Sequence, residues 1–316
     1  MVFSLVRGEE TPAPLVCLVT VNYDSPRELK AFLEEKGLGM RKKFGQNFLI
    51  NRDARKKLVD ALEIEKGEKV WEIGPGLGAM TAELLERGAR VTAFEIDTGF
   101  AAILRELFGA DDRFTLIEGD VLAAWRSAEG APYLLGNLPY NIGASLLADL
   151  IEGRRFFKRM VVTVQNEVAL RAAAKPLSAD YSSFSVLCAS AYTVHPLMRI
   201  KGPSFYPVPR VDSRGLCFDL RTDIDPALYP ALFYPLLRGL FSSRRKMIKN
   251  NLISFVSSGI LKMRVPTGIS AEDLIRPVLE QCGLEGDERA ETLGVDTFRN
   301  LAEALGPALE RNYGNR

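Results

Sequence analysis

Lys69-Val70-Trp71-Glu72-Ile73-Gly74-Pro75-Gly76-Leu77-Gly78 decides how this chain is read. Five residues with strand character run into three glycines spaced G-x-G-x-G, and the apolar run Ala79–Arg87 then carries helical spacing up to Gly88. Glycine lacks a Cβ, so the turn can take positive φ and let backbone approach a ligand closely. The dinucleotide fingerprint G-x-G-x-x-G has a different spacing and lies against a pyrophosphate. Here Glu72 sits inside the strand just before the first glycine. An acid there repels phosphate and suits the ammonium of an aminoacyl group.

Outward from this turn the pattern repeats. Strands are expected at Arg90–Glu95, Phe114–Glu118, Tyr133–Gly136 and Met160–Gln165. Helices are expected at Gly99–Leu107 and Ile142–Ile151 between them. Such alternation implies an α/β fold, a Rossmann-like parallel sheet with helices on both faces. Upstream, Ser25-Pro26-Arg27-Glu28 reads as a helix start closed by Gly37, and Asn51–Leu62 as a second helix. After Leu220 the spacing becomes helical, with Leu232, Leu236, Leu237 and Leu240 on one face and another helix at Val295–Leu305. The expected organisation is an extension over residues 1–38, a catalytic domain over 39–222 and a smaller all-helical domain over 223–316.

The chain has 316 residues, 47% apolar and 26% charged, with a net charge of +1. No apolar run approaches the roughly 18 residues that span a bilayer. A signal peptide is disfavoured, because Glu9 and Glu10 separate Arg7 from the apolar run Leu15–Val21 and no small-x-small cleavage site follows. The first 20 residues are read as a disordered stretch of the extension or an upstream start, with the working protein beginning near Val21. Cys17, Cys188, Cys217 and Cys282 form no C-x-x-C pair, so neither zinc nor a disulfide framework is expected and a reducing cytoplasm fits. One histidine, His195, is read as a surface or packing residue. Charge is unevenly placed: residues 41–57 hold seven Lys/Arg and one acid, and residues 238–264 hold seven and none. Basic stretches on a near-neutral protein suggest a surface for a polyanion.

Three acids end successive strands: Glu72, Glu95 and Asp120. Glu95 follows the glycines by about 20 residues, where a carboxylate can accept both hydroxyls of a ribose. Asp120 is placed to accept from an adenine amino group, with Val121 against the ring and Ile96 beside Glu95. Together with Gly74 and Gly76 these point to S-adenosyl-L-methionine. Asn137-Leu138-Pro139-Tyr140 then follows the fourth strand. An aromatic amine is a poor nucleophile, since its lone pair is delocalised. Acceptance of its two N–H bonds by the Asn137 side-chain oxygen and the Leu138 carbonyl would push the nitrogen toward tetrahedral shape. Pro139 stiffens the loop, and Tyr140 offers a face for an extruded base. No strong base is required, because the proton becomes acidic only after methyl transfer.

With these motifs the chain resembles the bacterial small-subunit (16S) rRNA adenine N6,N6-dimethyltransferase family, from about Lys42 to about Leu305. Lys42-Lys43-Phe44-Gly45-Gln46-Asn47-Phe48-Leu49 matches the segment that caps the cofactor, which implies Gln46, Asn47 and Leu49 as ligands. Gly74, Glu95, Asp120 and Asn137 match the other cofactor positions. Phe205-Tyr206-Pro207-Val208-Pro209-Arg210-Val211-Asp212-Ser213 matches F-x-P-x-P-x-V-x-S, whose Phe is expected to face the target base opposite Tyr140. Phe241-Ser242-Ser243-Arg244-Arg245-Lys246 matches a basic helix, implying Arg244, Arg245, Lys246 and Lys249 as rRNA contacts. Arg289-Ala290-Glu291-Thr292-Leu293 resembles the R-A-E-x-L turn. Asn166, Leu177 and Ala179 depart from the family pattern, which bears on local RNA contacts and not on the cofactor site. The resemblance implies dimethylation of two adjacent adenosines near the 3′ end of small-subunit rRNA in an assembling subunit, by a cytoplasmic monomer without metal. The large-subunit rRNA dimethyltransferases and a non-catalytic assembly or transcription factor are the alternatives.

Overall fold

The computed structural model describes residues 21–39, 46–258 and 268–310. The expectations for residues 1–20, for Lys42–Gly45 of the capping segment and for the cations Lys262 and Arg264 lie outside them.

Helix α1 (Pro26–Glu35) opens the described chain; the Ser25 hydroxyl accepts from the Glu28 amide and Pro26 takes the first turn. The short strand β1 (Phe48–Leu49) leads to α2 (Arg52–Asp60), capped by the Asn51 side chain. Then follow β2 (Lys69–Ile73), α3 (Ala79–Glu86), β3 (Arg90–Glu95), α4 (Thr98–Phe108), β4 (Phe114–Glu118), α5 (Val121–Ala124) and β5 (Tyr133–Asn137). After them come α6 (Gly143–Glu152), β6 (Arg159–Gln165), α7 (Asn166–Ala172), α8 (Ser183–Ala191), β7 (Tyr192–Ile200), β8 (Phe205–Tyr206) and β9 (Ser213–Leu220). Beyond β9 the regular elements are α9 (Phe233–Leu240), α10 (Ile248–Ser257), α11 (Ala271–Gln281) and α12 (Val295–Glu310).

Seven strands form one sheet in the order β4-β3-β2-β5-β6-β9-β7. The first five are parallel, while β9 runs antiparallel to both β6 and β7. The expected Rossmann-like parallel sheet is thus present in five strands and is extended by two strands into a mixed sheet. The chain returns from β7 to β9 through a short connection that carries β8 and no crossover α-helix, and apolar alternation reads alike in either direction. Strand order reverses between β2 and β5. That switch point opens a crevice at the carboxyl edge, where open α/β sheets bind ligands.

Alternation along each strand separates two cores. Trp71, Ile73, Leu134, Met160, Val162 and Val164 face one side, under α6 and α8. Val70, Tyr133, Leu135 and Val161 face the other, under α2 and α3. The first core continues unbroken through Leu187 of α8 into Leu236, Leu252, Leu279 and Phe298 of the last four helices. Tyr181 donates to the Leu293 carbonyl at 2.7 Å and Tyr234 to that of Ile151 at 3.3 Å, satisfying buried hydroxyls across this junction.

The basic helix expected at Phe241–Lys246 is instead a turn between α9 and α10, with Lys249 alone of the four cations in a helix. Gly239 lies so close to Phe255 that an added Cβ would stand 2.3 Å from its ring, so α10 folds back onto α9 there. The Asn251 amide then donates to the carbonyls of Leu240 at 2.9 Å and Ser243 at 3.1 Å, capping groups that the end of α9 exposes. Among the described residues no helix is long and apolar enough to cross a membrane.

Candidate active site

A cleft opens at the carboxyl edge of β2, β3 and β5. Gly74 and Gly76 form its floor with φ of 66° and 60°. A Cβ on Gly76 would meet Phe48 at 2.8 Å, so the turn admits no side chain without displacing the residue between Asn47 and Leu49.

Glu95 closes one wall and is 4% exposed. One of its oxygens accepts from the Gly76 amide at 3.1 Å and the other from the Asp97 amide at 2.8 Å. Each keeps a further lone pair, the geometry that two vicinal hydroxyls require. Burial, only partly offset by these bonds, pushes its pKa up to about 7. Asp120 caps α5 through the Leu122 amide at 2.9 Å and lines the cleft with Ile96 and the buried Val121. Gln46, Asn47 and Leu49 line it from the opposite side.

Glu72, expected as a ligand, does not line the cleft. It is fully buried, and Thr81 of α3 donates to it at 2.6 Å. Trp71 and Ile73 share one face of β2, so Glu72 points to the other, beneath the turn. Burial raises its carboxyl to about 7, and its second oxygen has no hydrogen-bond partner.

Asn137 ends β5. Its amide donates to the Asn47 carbonyl at 2.7 Å, which turns its side-chain oxygen away as an open acceptor. The Leu138 amide is used by the Thr163 carbonyl at 3.0 Å, while the Leu138 carbonyl accepts nothing among the described residues. The Pro139 carbonyl accepts from Ile142 at 3.1 Å and Gly143 at 3.0 Å, which fixes the loop to the start of α6. The Tyr140 hydroxyl bonds to Ser213, so the end of the Phe205–Ser213 segment anchors the ring that lines the cleft.

Phe205 does not face Tyr140. It is 1% exposed, pairs with Leu49 between β8 and β1, and packs with Val161, Ile200 and Cys217. The pairing Phe48↔Tyr206 and Leu49↔Phe205 fixes this register, so Phe205 shares the core-facing side with Leu49.

Three residues that the motifs did not single out, Tyr23, Arg55 and Thr81, complete the surroundings together with Ser213. Tyr23 and Arg55 line the cleft from outside any recognisable motif. Ser213 was visible within its segment, without a role. His195 is exposed on β7, 3.7 Å from Asp219 and away from the cleft. Among the described residues no group of three His, Cys, Asp or Glu could hold a metal ion.

Arg244, Arg245, Lys246 and Lys249 lie outside the cleft. The sequence places no acid beside them, but the fold does: Arg244 pairs with Glu291 at 2.7 Å and Lys249 with Glu272 at 2.6 Å. Arg245 and Lys246 are exposed and make no ion pair among the described residues.

A sheet of this order, with a glycine cradle, a doubly accepting carboxylate and an open acceptor pair at one switch-point cleft, defines an S-adenosylmethionine-dependent methyltransferase. Residues 37–279 match the model of the ribosomal RNA adenine dimethylase family. The chain is 43% identical to the ribosomal RNA small subunit methyltransferase A of Treponema denticola, over 90% of this chain and 96% of that one. It is 39% identical to its namesake in Borreliella afzelii, over 91% and 96%. In fold it resembles a dimethyladenosine transferase from Plasmodium falciparum, with a TM-score of 0.69 at 24% identity over 79% of this chain and 94% of that one. It also resembles the 23S rRNA methyltransferase ErmE, with a TM-score of 0.57 at 23% identity over 81% and 98%. The chain belongs to the ribosomal RNA adenine dimethylase family.

Proposed function

We propose that this protein dimethylates N6 of two adjacent adenosines near the 3′ end of small-subunit rRNA, within an assembling subunit. The observation that carries the chemistry is the fixed amide of Asn137. With its nitrogen held by Asn47, its oxygen and the Leu138 carbonyl present two open acceptors at the cleft. Both amine hydrogens of an adenine fit such a pair, which concentrates the lone pair on the nitrogen and turns it toward the cleft. S-adenosylmethionine supplies an electrophilic methyl group on sulfur. Glu95 accepts the ribose hydroxyls, Asp120 the adenine amine, and Val121 and Ile96 cover the ring. Gln46, Asn47 and Leu49 close the opposite wall, with Gly74 and Gly76 beneath. Glu72, bound by Thr81 beneath the turn, supports the glycine cradle from below. Tyr140, held by Ser213, stacks on the extruded base.

The likeness to the small-subunit enzymes of Treponema denticola and Borreliella afzelii supports the small subunit as the partner. Residues 39–222 form the catalytic unit in this reading, and 223–316 hold rRNA through Arg244, Arg245, Lys246 and Lys249. The protein acts as a cytoplasmic monomer. The test is incubation of the protein with labelled cofactor and small subunits that lack the modification, followed by mapping of the label. Two adjacent labelled adenosines near the 3′ end are expected. Label confined to large-subunit rRNA would overturn the assignment.

A further inference from the structure

Residues 21–36 precede the segment that matches the family, yet they reach the cleft. Tyr23 lines it and donates to the Leu77 carbonyl of the glycine turn at 3.0 Å. Its neighbour Asp24 is bound by Arg55 of α2, which is 4% exposed. The same guanidinium donates to the Leu49 carbonyl at 2.9 Å and lies 3.6 Å from Glu83, yet its Nε has no hydrogen-bond partner. Arg55 therefore ties the extension, β1 and α3 together around one buried charge. Farther on, Leu29 and Leu33 of α1 are buried against Leu77, Phe100 and Ile103. Phe100 belongs to the first turn of α4, whose cap Asp97 donates its amide to Glu95. The extension is thus packed onto the turn and onto the support of the ribose carboxylate.

Sheet order shows which part of the ligand it meets. Strands β4, β3, β2 and β5 lie side by side in that sequence. On the cofactor reading above, Asp120 at β4 takes adenine, Glu95 at β3 takes ribose and Asn137 at β5 faces the methyl group. The aminoacyl chain then lies over the turn after β2, between Tyr23 and the buried Glu72. The Tyr23 hydroxyl uses its hydrogen on Leu77 and accepts nothing among the described residues, so its lone pairs are open to a cationic donor.

We propose that the N-terminal extension completes the cofactor site, with the Tyr23 phenolic oxygen accepting from the ammonium of the aminoacyl chain and Arg55 holding Tyr23 in place. This rests on the cofactor reading. The test compares two ligands by calorimetry on the full chain: S-adenosylhomocysteine, and 5′-methylthioadenosine, which lacks the aminoacyl chain. Tyr23→Phe keeps the ring and removes the oxygen. It is expected to bind S-adenosylhomocysteine roughly tenfold more weakly and 5′-methylthioadenosine as wild type does. Unchanged binding of both ligands, or equal loss for both, would overturn the inference, since a wall that only shapes the pocket does not distinguish them. Glu95→Ala is the reference and should weaken both. If it weakened neither, the cofactor reading and this inference would fall together; if it weakened both while Tyr23→Phe showed no selectivity, the inference alone would fail.

Discussion

The side-chain amide of Asn137, at the end of β5, donates to the backbone carbonyl of Asn47, 90 residues earlier, at 2.7 Å. One bond joins the segment that caps the cleft to the loop that would present acceptors to the target base. It also assigns the amide, since a carbonyl accepts and only the NH₂ group can donate to it. The acceptor that methyl transfer needs is oriented before any substrate arrives.

Asn137→Ala is expected to lower the single-turnover rate of methyl transfer by roughly 100-fold, the scale for loss of one preorganised polar group. rRNA affinity should stay near wild type, because the bond to the amine strengthens at the transition state. Quenched single-turnover kinetics beside filter binding separates the two. A rate within a few-fold of wild type would rule out the acceptor role.

Much of this site is legible in the sequence because its parallel strands read as short apolar runs, each ended by glycine or an acid. Lys69–Ile73, Arg90–Glu95 and Phe114–Glu118 fall where those runs end. What escaped has equally physical causes. β1 and β8 have two residues each, too few to show a period, so the burial of Phe205 was invisible. Glu72 and Glu95 both end or flank strands, and only the face each takes separates a buried support from a cleft wall. Tyr23 and Arg55 meet through folding across 31 positions, from Asp24 to Arg55, and no local pattern announces that. The family resemblance implies a helix at Arg244–Lys246, whereas tertiary contact at Gly239 turns the chain first.

Burial holds the Glu95 carboxyl near 7, above its ordinary 4.5. The folded chain therefore keeps a proton that the unfolded chain releases between roughly pH 4.5 and 7, and stability falls as pH rises through that window. A shift of that size is worth at most about 3 kcal/mol. Glu95→Gln cannot ionise, so it should melt above wild type at about pH 8, with the gap closing toward about pH 5. Cofactor affinity should do the reverse in wild type and rise through about pH 7, as the charged carboxylate forms, while staying flat in the variant. Melting curves and calorimetry across pH check both halves; a flat affinity profile in wild type would exclude Glu95 as the ribose acceptor.

Gly76 has a φ of 60°, and a Cβ there would stand 2.8 Å from Phe48. The Phe48 ring has little freedom to yield, since it packs edge-on against Phe100 at 5.4 Å. Gly76→Ala should cost about 1–3 kcal/mol of stability through backbone strain. It should also weaken cofactor binding more than tenfold, because Phe48 lies between two cleft residues. Chemical denaturation with calorimetry measures the pair of effects. Wild-type affinity in a folded variant would show that the turn does not cradle the ligand.

The turn between α9 and α10 holds two kinds of cation. Arg244 and Lys249 are already paired with Glu291 and Glu272, whereas Arg245 and Lys246 are exposed without an ion pair among the described residues. An exposed pair contributes little to stability, roughly 0–1 kcal/mol, so a phosphate can compete for Arg244 and Lys249, but only by displacing a carboxylate. Arg245 and Lys246 meet no such competitor. Replacing both with Gln should therefore weaken rRNA binding and flatten its dependence on salt by roughly 0.7–0.9 log units per lost contact, without moving the melting temperature. Glu291→Gln should act in the opposite sense, strengthening rRNA binding at low salt by freeing Arg244. Cofactor affinity should be unchanged in every case, since none of these side chains lines the cleft. Binding titrations over a range of salt concentrations test this, and an unaltered salt slope in the Arg245 and Lys246 double variant would return the turn to ordinary solvated surface.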